Sequence, residues 1–247
     1  MTGRQPRRVI VVGGGTAGSV LAARLSENAA CSVTLLEAGP DHDAYDSAVL
    51  KPSSAAAAWA GAAPVVPTPM IMEAGGAIPV LQGRLLGGTS AVNGLATLRG
   101  LPSDYNAWAE TGLQGWGWDD VVSTFIAAER DMDFGSSPLH GDSGPLSVRR
   151  WREDELSRAQ RAYYHGMVEI GEPVVADIND PSQLPGLGVF PVTIGDDGQR
   201  VTTSLAYLTP EVRARENLEI RTNTEVTKIT IEKEPRYRRV AGEWRLS

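Results

Sequence analysis

The sequence has few of the residues that mark secreted, metal-clustered or nucleic-acid-binding proteins. Cys31 is its single cysteine, which excludes an intramolecular disulfide framework and any multi-cysteine metal site. Basic residues are also in deficit, because 23 Lys and Arg stand against 30 Asp and Glu and leave a net charge of −7. Such a balance argues against nucleic-acid binding. Together these shortages predict a cytoplasmic protein of a reducing compartment.

Long apolar runs without proline or glycine are missing as well. The apolar run that follows Arg8 stops at consecutive glycines from Gly13, and the uncharged stretch 52–72 contains Pro52, Pro64, Pro67 and Pro69. Proline breaks helices, so this stretch predicts coil and no transmembrane segment. What is present is a 42% hydrophobic composition with 27 Gly and 16 Pro, typical of a globular chain rich in turns.

Residues 8–36 have the pattern of a βαβ unit. An apolar strand is predicted over 8–12, a helix over 16–27 with apolar residues on one face, and a second strand over 32–36. Because a crossover of this length joins parallel strands, the unit predicts a parallel sheet in an α/β fold.

The turn of this unit carries the glycine pattern Gly13-Gly14-Gly15-Thr16-Ala17-Gly18, which matches G-x-G-x-x-G. Glu37 follows 19 residues after Gly18, at the end of the second strand, as a dinucleotide-binding fingerprint requires. Gly13 permits the tight turn, Gly15 lets a pyrophosphate approach the helix start, and Gly18 allows close helix packing. The alternative is a turn that uses glycines for packing alone, with Glu37 solvated. The fingerprint disfavours NADP but does not separate FAD from NAD.

Beyond this unit the chain shows further helices and strands separated by long irregular stretches. Helices are predicted over 103–110, with Ser103 or Asp104 as N-cap, and over 119–130, 153–170 and 203–215. Strands are predicted over 218–222, 226–231 and 239–246, with a turn near residues 234–235. Residues 40–83, 131–148 and 174–188 are predicted to be loops.

A second glycine-rich stretch runs Gly83-Arg84-Leu85-Leu86-Gly87-Gly88-Thr89-Ser90-Ala91-Val92-Asn93-Gly94 and is followed by Arg99-Gly100 and Asp104-Tyr105. Through this succession the chain resembles the glucose–methanol–choline (GMC) oxidoreductases, and the loop resembles the mycofactocin-associated branch. The resemblance implies an α/β fold. A Rossmann-like FAD-binding domain would be formed by residues 1–130 and 201–247, and residues 131–200 would begin an α+β substrate domain, both domains being incomplete.

The resemblance also implies FAD as the cofactor. The binding is expected to be non-covalent, because no histidine lies between Gly83 and Gly100. The residues expected to contact FAD are Gly13, Gly15, Thr16, Ala17, Gly18, Glu37, Ala38, Leu85, Gly88, Thr89, Ser90, Asn93, Gly94, Leu95, Ala96 and Val226.

The chemistry implied by the resemblance is oxidation of a small-molecule alcohol, with hydride transfer to flavin N5 in a choline-dehydrogenase-like bacterial enzyme. The resemblance places the catalytic histidine beyond this sequence, so no catalytic residue and no metal ligand is assigned. His42, His140 and His165 are expected to have surface or packing roles. Two alternatives stay open: a hydroxynitrile-lyase-like enzyme on the same scaffold, and a truncated or split fragment without independent activity, whose C-terminal half is a separate chain.

Overall fold

The computed structural model describes residues 7–41, 65–72, 76–233 and 238–246. His42 and the turn predicted near residues 234–235 lie outside these ranges. The chain divides into two compact units, one formed by Met1–Gly94 with Gln199–Ser247 and the other by Leu95–Gly198. We call them the split unit and the central unit and describe each by itself.

The split unit is built on the predicted βαβ arrangement. Its elements are strand β1 (Arg7–Val12), helix α1 (Thr16–Leu25) and strand β2 (Cys31–Leu36). The two strands pair in parallel with Arg7 opposite Cys31, which confirms the parallel prediction. Val33 and Leu35 of β2 are fully buried, as are Ala22 and Ala23 of α1, because small helix residues let α1 lie close to the sheet.

An antiparallel hairpin lies within the stretch that the sequence predicts to be a loop. Strands β3 (Val65–Ile71) and β4 (Ala77–Gly83) pair with Pro69 opposite Pro79, so the prediction of a loop over 40–83 is wrong for this part. The N–H of Met72 donates to the carbonyl of Gly76 at 3.0 Å, which puts Pro67, Pro69 and Pro79 at non-hydrogen-bonded positions. Proline fits there because no inter-strand bond needs its missing N–H.

The last part of the split unit returns to the sheet. Helices α5 (Thr203–Tyr207) and α6 (Pro210–Arg213) precede strand β8 (Leu218–Arg221), which pairs in parallel with β2 and gives the order β1-β2-β8. The predicted single helix over 203–215 is wrong, because Thr209 caps a new helix whose first residue is Pro210. Strands β9 (Thr224–Lys233) and β10 (Arg238–Leu246) then form an antiparallel pair, which confirms the last two predicted strands.

The central unit combines three helices with a small sheet. In chain order these are α2 (Pro102–Glu110), α3 (Trp118–Ala128), β5 (Glu129–Asp131), β6 (Leu146–Arg150), α4 (Arg158–Glu169) and β7 (Pro191–Val192). The strands form a sheet of order β5-β6-β7, in which β5 runs parallel and β7 antiparallel to β6. Because β5 covers residues 129–131 and β6 begins at Leu146, the predictions of a helix reaching residue 130 and of a loop over all of 131–148 are wrong.

Helix starts in the central unit also differ from the predictions. The N-cap of α2 is Leu101, and Asp104 is instead the third helical residue, whose carboxylate accepts the N–H of Leu101 at 2.8 Å. Residues 153–170 do not form one helix, because α4 begins after Ser157, whose hydroxyl accepts the N–H of Gln160. In each case a side chain that bonds a helix-start N–H sets the boundary. Within the described residues, no helix is long and apolar enough to cross a membrane.

Candidate cofactor site

The candidate site in the split unit begins at the turn between β1 and α1. Gly13 has a φ of +89°, the left-handed region that favours glycine, and its N–H donates to the carbonyl of Leu36 at 2.8 Å. A Cβ on Gly18 would overlap the carbonyl oxygen of Gly13, so Gly18 is required for helix packing. Both glycines therefore have the structural roles that the fingerprint predicts.

The first turn of α1 is suited to an anion. Its N-cap, Gly15, has no side chain to accept a helix N–H, and no acidic residue lies in the first turn. The N–H groups of Thr16 and Ala17 have no acceptor within the helix, and both residues are exposed. No acidic residue of the helix itself therefore compensates the positive end of its dipole, and these N–H groups are accessible, which is the arrangement that binds a phosphate.

Glu37 lies beside this turn and its carboxylate is held by backbone groups. Oε2 accepts the N–H of Gly14 at 2.7 Å, and Oε1 accepts the N–H of Gly39 at 2.8 Å. Burial raises the pKa of the Glu37 carboxyl, while these backbone N–H bonds and the charge of Arg84 oppose the rise. Each carboxylate oxygen keeps a second lone pair, so Glu37 can still accept from a ribose hydroxyl.

The loop over residues 85–94, which we call the signature loop, packs directly on the glycine turn. The N–H of Gly87 donates to the carbonyl of Gly14 at 2.8 Å. A Cβ on Gly88 would lie 2.6 Å from the Cα of Gly15, so only glycine permits this backbone approach. A single 3-10 turn, Gly88–Ala91, follows, and Leu85, Ala91 and Val92 form a buried cluster beneath it. The fold therefore joins the two glycine motifs, which are distant in sequence, into one surface.

Residues 200–204, which the sequence analysis did not assign to the site, form hydrogen bonds with the signature loop. The hydroxyl of Ser90 accepts the N–H of Thr203 at 3.0 Å and donates to the carbonyl of Gly87 at 2.6 Å. The hydroxyl of Ser204 donates to the carbonyl of Leu86 at 3.3 Å, and Arg200 donates to the carbonyls of Ser90 and Asn93. The sequence signal at this segment is the Thr- and Ser-rich start of the helix near residue 203. Such residues indicate a helix N-cap, and they do not reveal that the segment contacts the signature loop.

The other predicted contact residues are distributed over both units. Thr89, Asn93 and Gly94 are exposed on the signature loop, and Ala38 and Val226 are half-buried in the split unit. Leu95 and Ala96 belong to the central unit, where Leu95 is buried with Val192 and Ile194 and Ala96 pairs with Val192. The split unit thus contains every predicted contact residue except Leu95 and Ala96.

Among the histidines, His140 is buried in the central unit. Its Nδ1 lies 2.7 Å from Glu129 and 2.9 Å from Asp131, and its Nε2 lies 2.7 Å from Asp177. Burial lowers the pKa of His140, but the three carboxylates outweigh it and raise the pKa to about 10. Arg150 bonds Asp131 and Asp177 in the same cluster.

The Glu129–Asp131–His140 group could geometrically hold a metal ion, because its ligand atoms lie within 4.8 Å of one another. However, Arg150 contacts Asp131 and Arg99 contacts Glu129 at 2.6 Å, so cations already neutralise these carboxylates. A protonated imidazole is also no metal ligand. The cluster is a buried ion-pair network, and the packing role predicted for His140 agrees with it.

A parallel βαβ unit with a glycine turn, an uncapped helix start and a strand-end glutamate defines a dinucleotide-binding α/β protein. Within that class the family is settled by comparison: a model of the GMC oxidoreductase N-terminal domain matches residues 8–243. The chain belongs to the GMC oxidoreductase family.

Named relatives agree with the family. The chain is 37% identical over 238 residues to pyridoxine 4-oxidase of Microbacterium luteolum, covering 91% of this chain and 44% of that protein. It is 36% identical to 5-(hydroxymethyl)furfural oxidase of Methylovorus sp., covering 89% of this chain and 43% of that protein. The crystal structure of pyridoxine 4-oxidase from Mesorbium loti superposes with a TM-score of 0.80 at 35% identity, over 92% of this chain and 44% of that one. This chain therefore spans less than half the length of these relatives.

The predicted family, the α/β FAD-binding fold and FAD as the cofactor are confirmed by these findings. The residues present also fit FAD on structural grounds. The uncapped helix start suits its diphosphate, and a Cβ on Gly13 or Gly94 would meet no atom within 4 Å, so both backbones can be approached closely.

Proposed function

We propose that this chain is the FAD-binding part of an enzyme that oxidises a small-molecule alcohol. The observation that carries the proposal is the packing of Gly88 on Gly15, which places the signature loop beside an uncapped helix start. Bound FAD supplies a hydride acceptor at flavin N5. Several relatives are oxidases or dehydrogenases by name, including an oxygen-dependent choline dehydrogenase of Staphylococcus xylosus, which supports oxidation as the chemistry.

In this proposal the chain's own residues bind and orient the cofactor. The N–H groups of Thr16 and Ala17 hold the diphosphate, Glu37 accepts the adenosine ribose hydroxyls, and Thr89, Ser90 and Asn93 offer polar groups beside the flavin. The remaining contacts come from Gly13, Gly15, Gly18, Ala38, Leu85, Gly88, Gly94, Leu95, Ala96 and Val226. Binding is non-covalent, residues 131–200 begin a substrate-facing domain, and the location is cytoplasmic.

The first test is whether the purified chain retains FAD. FAD is added, the excess is removed by gel filtration, and the visible absorption of oxidised flavin is recorded. The Ala17→Glu variant places a carboxylate in the first turn of α1, where it favours the helix but repels a diphosphate. We expect its dissociation constant for FAD to rise about tenfold or more, an effect of the 1–2 kcal/mol size of such charge interactions.

The matched control is Ala159→Glu. Ala159 is also exposed and is also the second residue of a helix, α4, in the central unit. It should retain FAD as the unaltered chain does. Equal loss of FAD in both variants, or no loss in either, would contradict the assignment of the diphosphate to α1. A folded wild-type chain that retains no flavin would contradict FAD binding by this chain alone and favour a fragment that needs a separate C-terminal half.

A further inference from the structure

Two buried arginines of the described chain have opposite electrostatic surroundings. Arg150, 9% exposed, faces the carboxylates of Asp131 and Asp177 and belongs to an ion-pair network. Arg200, 1% exposed, forms no ion pair with a carboxylate anywhere in the part of the chain that the structure describes. Its Nε is also buried without a hydrogen-bond partner.

The acceptors of Arg200 are all neutral groups of the signature loop. One terminal nitrogen donates to the carbonyl of Ser90 at 3.0 Å and to Oδ1 of Asn93 at 2.7 Å, and the other donates to the carbonyl of Asn93 at 2.8 Å. Ser90 lies in the 3-10 turn and Asn93 lies two residues after its end. The Arg200 side chain therefore holds both the turn and the residues that follow it. A planar guanidinium can make these bonds together because its donors are arranged in a rigid fork.

An isolated buried charge is costly, so proteins usually pair it with an opposite charge. Burial alone lowers the pKa of Arg200 to about 10, which leaves the group protonated at neutral pH. The positive charge is therefore present beside the signature loop, and the described protein offers no anion to balance it. An anionic ligand at the loop would supply the missing negative charge.

We propose that Arg200 is a positioning residue that holds the signature loop in its cofactor-binding shape and, through its unbalanced positive charge, favours the anionic cofactor there. This inference rests on the proposed binding of FAD at the loop. Arg200 lies outside both glycine motifs, so neither motif identifies it as part of the cofactor site.

The test compares Arg200→Met, which removes both the fork and the charge, with Arg200→Lys, which keeps the charge alone. We expect FAD binding to weaken about tenfold to a hundredfold in Arg200→Met, the size expected for lost charge-assisted bonds, and to be intermediate in Arg200→Lys. The thermal midpoint of Arg200→Met should stay within a few degrees of the wild type, because removing an unpaired buried charge offsets the lost bonds. Arg221→Met removes an exposed arginine of the same unit and serves as control for net charge.

Hydrogen exchange without FAD separates this inference from the proposed function. The N–H groups of Val92 and Asn93 bond the carbonyl of Thr89, so a peptide covering residues 87–94 should exchange slowly in the wild type. We expect faster exchange of that peptide in Arg200→Met, with other peptides unchanged, even if the wild-type chain retains no FAD. Wild-type exchange of that peptide in Arg200→Met would overturn the inference, whether or not the wild-type chain retains FAD. If Arg200→Met does not fold, wild-type exchange and affinity in Arg200→Lys would overturn it equally.

Discussion

Single glycines in helices of this chain have opposite consequences for stability. Gly18 lies in α1, where a Cβ would overlap the carbonyl of Gly13, whereas Gly166 lies in α4 with no atom within 4 Å of an added Cβ. We expect Gly18→Ala to lower the free energy of unfolding by about 3 kcal/mol or more, because the helix must move off the turn. Gly166→Ala should raise it by roughly 0.5–1 kcal/mol, because alanine is the better helix former.

Urea unfolding of both variants measures these changes, and the opposite signs are the important result. A tolerated Gly18→Ala would mean that α1 can shift away from β1. The glycine turn would then not be the rigid anion site described above.

The buried charges around His140 make the stability of the central unit depend on pH. The pKa of His140 is raised from its ordinary 6.5 to about 10, so its contribution is complete below about pH 6.5 and is lost as the pH rises toward 10. At the acid end, burial raises the pKa of Asp131, but hydrogen bonds from His140 and Arg150 outweigh it and hold the pKa well below its usual range. The contribution of Asp131 is therefore complete above its ordinary pKa of 3.8 and is lost progressively as the pH falls below that value.

We expect the urea midpoint to fall between pH 6.5 and 10, and to fall less steeply in His140→Gln. That variant should also be less stable at pH 6.5 by roughly 3–5 kcal/mol, because it leaves buried carboxylates short of one positive partner. His165→Gln removes an imidazole whose side chain is 55% exposed and should keep the wild-type pH profile. A His140→Gln profile parallel to that of the wild type would contradict a protonated His140.

At the scale of elements, two prolines of β3 remove hydrogen-bond donors from the edge of the hairpin that faces away from β4. Pro67 and Pro69 occupy non-hydrogen-bonded positions, so their nitrogens point away from β4 and offer no donor to another strand. We expect the double variant Pro67→Thr, Pro69→Thr to keep the hairpin but to self-associate more, because it gains two outward N–H groups on an uncharged edge.

Sedimentation velocity over a range of concentrations measures that association. Adding Thr68→Lys to the double variant should reverse it, because a charge on the exposed edge opposes strand pairing. Unchanged sedimentation of the double variant would show that the prolines have no protective role.

At the scale of the whole molecule, strand β1 exposes apolar side chains that a parallel strand usually buries. Ile10 is 48% exposed and Val12 is 51% exposed, and β1 lies at the edge of the sheet in the described part of the chain. We expect the purified chain to bind a hydrophobic dye such as ANS. The double variant Ile10→Thr, Val12→Thr should bind less dye with only a small change in its free energy of unfolding, because about half of each residue is already solvated.

The comparable control is Val33→Thr. Val33 is 1% exposed in the adjacent strand, so placing a hydroxyl there should lower the free energy of unfolding by about 1–3 kcal/mol. Dye binding that is unaffected by threonine at residues 10 and 12 would show that another surface is responsible.

Local patterns in the sequence were sufficient for the βαβ unit, the roles of Gly13 and Gly18, and the family. Turn conformation, strand pattern and helix start depend on residues close together in the chain, so short motifs specify them. Helix boundaries at Leu101, Ser157 and Thr209 were less predictable, because several neighbouring residues could have formed each cap.

Only the tertiary structure decided how the candidate site is supported. Ser90 contacts Thr203 across 113 residues of sequence, and Arg200 reaches Asn93 across 107. The burial and charge of His140 likewise depend on Asp177, which lies 37 residues away. Such contacts are formed by chain segments that meet only after folding, and neither residue spacing nor composition records which segments meet. The sequence by itself determined the class of cofactor and the two glycine motifs, whereas the fold determined which polar and charged groups hold those motifs together.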